Sequence, residues 1–169
     1  MESSTQTNEP TGRLPDALTA LAFVVAVNVV GAVPALIGGP DTAWFRALEK
    51  PAFYPPGWLF GVVWTVLFSL MGLALYLVVR RGLDRGPVRL AVGLFVLQMA
   101  FNVAWTPAFF ALQAPLAALG VIAVLFVLVA ATVAAFARVD RRAGALLVPY
   151  LAWVGFATVL NYAIWSLNA

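Results

Sequence analysis

The sequence has no cysteine and no histidine among its 169 residues. The first absence excludes disulfides, thiol nucleophiles and thiolate metal sites. The second excludes imidazole ligands and any Ser-His-Asp triad. Zinc, iron–sulfur and copper chemistry lose their usual ligands together, and haem iron loses His and Cys as axial donors. Charge is scarce as well. Only 10% of the residues are charged, where a soluble domain carries about 25%. Ten basic and seven acidic side chains cannot cover a globular surface, so a soluble domain and a disordered chain are both excluded. The net charge of +3 is small, and no basic stretch interleaved with aromatics lies outside the apolar runs, so nucleic acid is not a partner.

What fills the chain instead is apolar: 63% of the residues are hydrophobic, with 6 Trp and 12 Phe. At about 20 residues per bilayer crossing, the length accommodates five spans with short connections. The expected fold class is therefore an all-α integral membrane protein, a five-transmembrane-helix bundle. Residues 1–16, interrupted by Pro10 and Pro15, read as a disordered polar tail, and residues 17–169 as a single membrane domain. The expected spans are 17–37, 58–79, 88–112, 116–137 and 143–167, and only Arg89, at the start of the third, is charged. A signal peptide would have an apolar stretch of about 7–15 residues behind a basic segment. The run from Ala17 to Ile37 is longer, and Arg13 alone precedes it. No internal repeat is visible, and an odd number of spans argues against an inverted-repeat transporter.

The longest connection, residues 38–57, carries four charges, four prolines and four aromatics. Asp41 to Glu49 can form a short helix with Asp41 or Thr42 as N-cap, stopped at Lys50-Pro51. Its aromatics fit either a cover over a cavity or an interfacial aromatic belt. Pro107 is expected to kink the third span near its end. Eight Lys and Arg residues flank one set of span ends (the tail and the second and fourth connections), against Arg46 and Lys50 on the other. For a prokaryotic plasma membrane, the expected location, the positive-inside rule then places the N-terminus in the cytoplasm, with the first loop outside.

The polar groups within the spans are few. Gln98, Asn102 and Thr106 step by four and share one face of the third helix, flanked by Trp105. Tyr150, Trp153, Ala157 and Asn161 form a second stripe on the fifth. Trp64 and Trp153 lie deeper than belt tryptophans. Such groups must meet a partner or line a cavity in lipid, so interhelical hydrogen-bond glue and a pocket wall both stay open. Ala100, Ala104 and Ala108 make a small-residue stripe fit for packing inside the bundle or at a homodimer seam.

Three motifs carry a family resemblance. Lys50-Pro51-Ala52-Phe53-Tyr54-Pro55-Pro56-Gly57-Trp58 with Val63-Trp64 resembles the KPxWxPPxW…W segment of the TspO/translocator proteins, the tryptophan-rich sensory proteins also known as peripheral benzodiazepine receptors. Gln98, Asn102, Trp105, Pro107, Phe109 and Phe110 resemble that family's third-helix motif. The stretch from Pro149-Tyr150 through Trp153, Phe156-Ala157-Thr158 and Leu160-Asn161-Tyr162 resembles its fifth-helix motif. The resemblance implies a five-helix bundle, a homodimer and a lid-like first loop. It also implies a pocket for porphyrin, haem or drug-like hydrophobic molecules. The pocket residues carried over are Pro34, Ile37, Trp58, Leu59, Trp64, Asn102, Trp153, Ala157, Leu160 and Asn161. Phe53 stands where the family has Trp, and no Lys or Arg follows Tyr162, so the family's sterol-recognition pattern is incomplete.

The leading expectation is a membrane protein that binds porphyrin or another tetrapyrrole within the helices, in a sensory, regulatory or transport role. Trp64, Trp153 and Phe68 supply stacking area, Gln98 and Asn102 hydrogen bonds, and Arg46 and Lys50 positive charge for the ligand carboxylates. No cofactor and no metal are required, with porphyrin or haem as ligand. The alternatives are a light-dependent protoporphyrin-degrading enzyme with Trp64 and Trp153 as candidate redox residues, as the resemblance implies, or a passive small-molecule transporter.

Overall fold

The computed structural model describes residues 13–169, without the side chains of 13–15, 36 and 37. The order is α1 (Arg13–Ile37), α2 (Ala43–Ala47), α3 (Gly57–Val79), α4 (Gly86–Thr106), a π-helical turn (Pro107–Ala111), α5 (Pro115–Val139) and α6 (Arg141–Leu167). The described residues hold no strand, and five helices are long and apolar enough to cross a membrane. The fold is an all-α membrane bundle.

The first helix starts earlier than expected. Arg13–Asp16 form its opening turn, and the expected disordered tail otherwise lies outside the described residues. Pro15 is tolerated there because first-turn N–H groups have no intrahelical partner, and Asp16 complements the positive helix end. Asp16 also lies 3.7 Å from Arg80 at the end of α3, an exposed pair of little energetic weight.

The stretch Arg138 to Arg142 is a single-residue hinge at Asp140, not a loop. The Asp140 carboxylate accepts a bond from the Arg142 N–H (2.9 Å) and another from Arg81. Gly144 makes the tight turn possible, since a Cβ there would overlap Ala137. That leaves α5 and α6 packed side by side, and α4 against α5.

α1 packs chiefly on α3 and buries only Val27 and Pro34 among its described side chains. Gly72 of α3 permits that contact, because a Cβ there would overlap the α1 backbone at Val24. Two apolar clusters build the interior. The larger includes Met71, Phe95, Leu125, Phe136, Leu147 and Val154. The smaller, at the end covered by the first loop, gathers Phe45, Ala108, Phe109, Ala118, Leu160 and Ile164.

Candidate functional site

Members of both clusters line a cavity of about 450 Å³. Its walls come from α1, α3, α4 with the π turn, α5 and α6, and Phe45 and Tyr54 of the first loop form its roof. Each wall has a local cause. On α3, Gly57, Phe60, Gly61, Trp64, Thr65 and Phe68 fall on one side at helical spacing and all line the space. On α4, Pro107 cannot donate a backbone hydrogen bond, and the chain widens by one residue instead of simply kinking. The Leu112 N–H reaches Pro107 O at 2.9 Å, an i to i+5 bond. This wider turn carries Phe109 and Phe110 against the roof, with Phe45 5.1 Å from Phe110 and 6.1 Å from Phe109.

The roof holds itself in place. Thr42 caps α2 by accepting from the Phe45 N–H (3.2 Å). Lys50 Nζ donates to Phe45 O (2.8 Å) and Leu48 O (3.0 Å) and sits 4.7 Å from the Phe45 ring centroid. Lys50 is therefore committed to closing the loop, and Arg46 is exposed. Burial pushes the Tyr54 phenol above its ordinary pKa, so it stays neutral.

The interior is aromatic with few polar groups. Trp64 stacks on Phe68 (5.1 Å, 26°) and meets Trp153 edge-on (6.5 Å, 89°). Asn28 donates to Val24 O and Ser69 Oγ. Asn102 Nδ2 donates to the Tyr150 hydroxyl at 2.9 Å, and that hydroxyl donates to Gln98 Oε1 at 2.9 Å. Asn161 accepts from Trp105 Nε1 at 2.9 Å and donates to Pro115 O at 2.8 Å. The polar stripes thus interlock as hydrogen-bond glue between α4, α5 and α6. The Trp153 Nε1–H is buried and has no hydrogen-bond partner. The arrangement offers flat apolar surface and few directional contacts, and contains no acid–base pair for hydrolytic chemistry.

Of the residues expected from sequence, Trp64, Phe68, Asn102, Trp153, Ala157, Leu160 and Asn161 come together on the wall. Gln98 does not: it is 1% exposed, a turn deeper than Asn102, and serves Tyr150. Trp58 is 70% exposed and Leu59 half-buried, because both fall off the α3 face that Phe60, Gly61 and Trp64 define. Pro34 is buried on α1, but Gly31, Ala32 and Ala35 line the space in its stead. The side chain of Ile37 lies outside the described residues. Reading the sequence missed Phe60, which the spacing from Gly57 could have found. It also missed Ile122 and Leu125, for which α5 carries no distinguishing pattern.

An all-helical membrane bundle enclosing an aromatic cavity beneath a loop defines a multi-pass membrane protein with an internal small-molecule space. The profile of the TspO/MBR family matches residues 21–166, and the chain belongs to that family. It is 45% identical over 129 residues to the tryptophan-rich protein TspO of Chlorobaculum tepidum, covering 76% of this chain and 82% of the relative. It is 40% identical over 149 residues to the tryptophan-rich sensory protein of Cereibacter sphaeroides (88% and 90%). The human translocator protein is 36% identical over 157 residues (91% and 92%).

Proposed function

We propose that this protein binds a porphyrin or similar tetrapyrrole in the cavity, in a sensory, regulatory or transport role. The observation that carries the reading is the cavity itself, about 450 Å³ with a mostly apolar wall that includes Trp64, Phe68 and Trp153. That volume lies within the range of about 300–1,000 Å³ usual for ligand sites. A flat conjugated ring gains both area and stacking against Trp64, Phe68 and Trp153. The names of the relatives, sensory and translocator, agree with a protein that responds to or moves a ligand. We read the chain as a homodimer with Ala100 and Ala104 exposed on the outer side of α4. Taking the membrane as a prokaryotic plasma membrane, we place the N-terminus in the cytoplasm, from the distribution of Lys and Arg.

The test is a titration of protoporphyrin IX and haem against tryptophan fluorescence. Saturable quenching by both with similar affinity is expected, because no His or Cys is present to ligate iron. Absence of saturable quenching overturns the reading, and a preference for haem of about a hundredfold overturns its metal-free form.

The contact between Trp64 and Trp153 also favours a second reading, light-driven oxidative breakdown of the bound porphyrin, in which the excited ring and an indole exchange an electron and dissolved dioxygen is the oxidant that is consumed. Trp64→Phe and Trp153→Phe then keep affinity within a few-fold and lose conversion under illumination, while Trp165→Phe keeps both. Parallel loss of affinity and conversion, or equal behaviour of all three, leaves binding alone.

A further inference from the structure

The cavity wall is not equally closed on all sides. The exposed residues that line it are Ala32, Ala35, Pro40, Gly57, Gly61 and Thr65; every other lining residue is buried or partly buried. All six lie on the facing edges of α1 and α3 or just past the end of α1. We infer that the cavity opens sideways into the bilayer through the α1–α3 seam, and that a lipophilic ligand dissolved in the membrane enters by this side door rather than through the first loop. The inference rests on reading the cavity as a ligand site, but not on which ligand occupies it.

The glycines of α1 and α3 show where the seam is shut and where it is open. A Cβ on Gly72 would overlap the α1 backbone at Val24, and one on Gly31 would overlap the Phe68 ring. Here the two helices touch, and Asn28 bonds Ser69 across them (3.2 Å). Toward the loop the contact ends. A Cβ on Gly57 or Gly61 would meet nothing within 4 Å. Thr65 lies eight residues past Gly57, about 12 Å along the helix, so the gap reaches well into the hydrocarbon layer. Both helices are long and apolar enough to span the membrane, so lipid faces this edge. The Thr65 hydroxyl donates to Gly61 O at 2.8 Å, leaving no unmet donor for an apolar ligand to pass.

The loop end is fastened. The Asn168 side chain accepts from the Glu49 N–H and donates to Glu49 O, both at 2.9 Å, pairing with the loop as a neighbouring strand would. A further bond from Asn168 to Ile164 O (2.8 Å) holds that amide in place. Phe45, 6% exposed, is wedged among Phe109, Phe110 and Tyr54. Entry through the loop would break this amide pair and lift Phe45 out of its cluster. Entry through the seam breaks no hydrogen bond.

The experiment needs no ligand, so it is separate from the test of porphyrin binding. The chain has no cysteine, and Ala157→Cys places a single thiol on the cavity wall. In liposomes, its rate of modification by N-phenylmaleimide, which partitions into lipid, is compared with that by a charged, impermeant maleimide. The lipophilic reagent should react faster. In that background Gly61→Leu should slow the lipophilic reagent by about tenfold or more, and Asn168→Ala should change it by less than about twofold. Ala35→Leu, from the opposite edge of the seam, repeats the block should Gly61→Leu fold poorly. If the seam variants label as fast as the parent, the side entrance is refuted. It is equally refuted if the charged reagent reacts as fast as the lipophilic one and Asn168→Ala accelerates it.

Discussion

Tyr150→Phe removes one oxygen atom from the centre of the bundle and keeps the ring. The Tyr150 hydroxyl is the middle of a chain that runs from Asn102 Nδ2 through it to Gln98 Oε1, with both bonds 2.9 Å long. Tyr150 and Gln98 are 1% exposed, so water cannot replace the bond that Gln98 loses. The ring keeps its edge contact with Trp64 (6.2 Å, 63°), which isolates the effect to the hydroxyl. Two side-chain bonds between membrane helices, at about 0.6 kcal/mol each, set a floor of about 1.2 kcal/mol. The buried Gln98 acceptor left without a partner, at about 1 kcal/mol or more, raises the expectation to about 2 kcal/mol or above. We therefore expect Tyr150→Phe to lose about 1–3 kcal/mol in reversible unfolding from mixed micelles, followed by tryptophan fluorescence. Adding Gln98→Met, which replaces the orphaned acceptor with an apolar group of similar shape, should recover part of the loss. A loss below about 0.5 kcal/mol, the scatter of ordinary surface substitutions, would refute the account of this chain as structural glue, as would a deeper loss in the double variant.

Gly72→Leu should destabilise strongly, by about 2 kcal/mol or more, because α1 must lift from α3. Gly57→Leu, whose Cβ meets open space, should be tolerated in the same unfolding assay. The Asp140 carboxyl is held below its ordinary value of 3.8 by the bond from Arg81 and the Arg142 N–H. Its folded pKa is depressed, so its stabilisation is present above 3.8 and is lost as pH falls through the folded value. Asp140→Asn should therefore be costly at neutral pH, with a penalty that shrinks only below 3.8; a penalty independent of pH in acid would refute the pairing. For orientation, Thr42→Cys should label with an impermeant thiol reagent in intact cells and Gly86→Cys should not; the reverse pattern puts the first loop in the cytoplasm.

The amino-acid sequence by itself determined the membrane class, the five spans to within a few residues and the family. Bilayer thickness demands a run of apolar residues of set length, and the motifs around Lys50, Gln98 and Pro149 stand in order along the chain. It also determined that Thr42 or Asp41 would cap a short helix in the first loop, since capping is a local bond. The polar and aromatic stripes marked the inward faces of α4 and α6, but for a helix without such a stripe, α5 above all, the facing was decided by the tertiary structure alone. In a soluble helix, polar residues mark the outside; in a membrane, lipid and core are equally apolar, so Leu125 on the wall and Val127 toward the lipid look alike in sequence. Gln98 and Asn102 share a face, yet depth separates them into a buried bridge and a wall residue. Phe45 reaches the cavity only because its loop folds back over the helix ends, and the gap between α1 and α3 exists only where Gly57 and Gly61 leave the neighbouring helix untouched. These are facts of close packing between segments distant in the chain, and no local pattern encodes them.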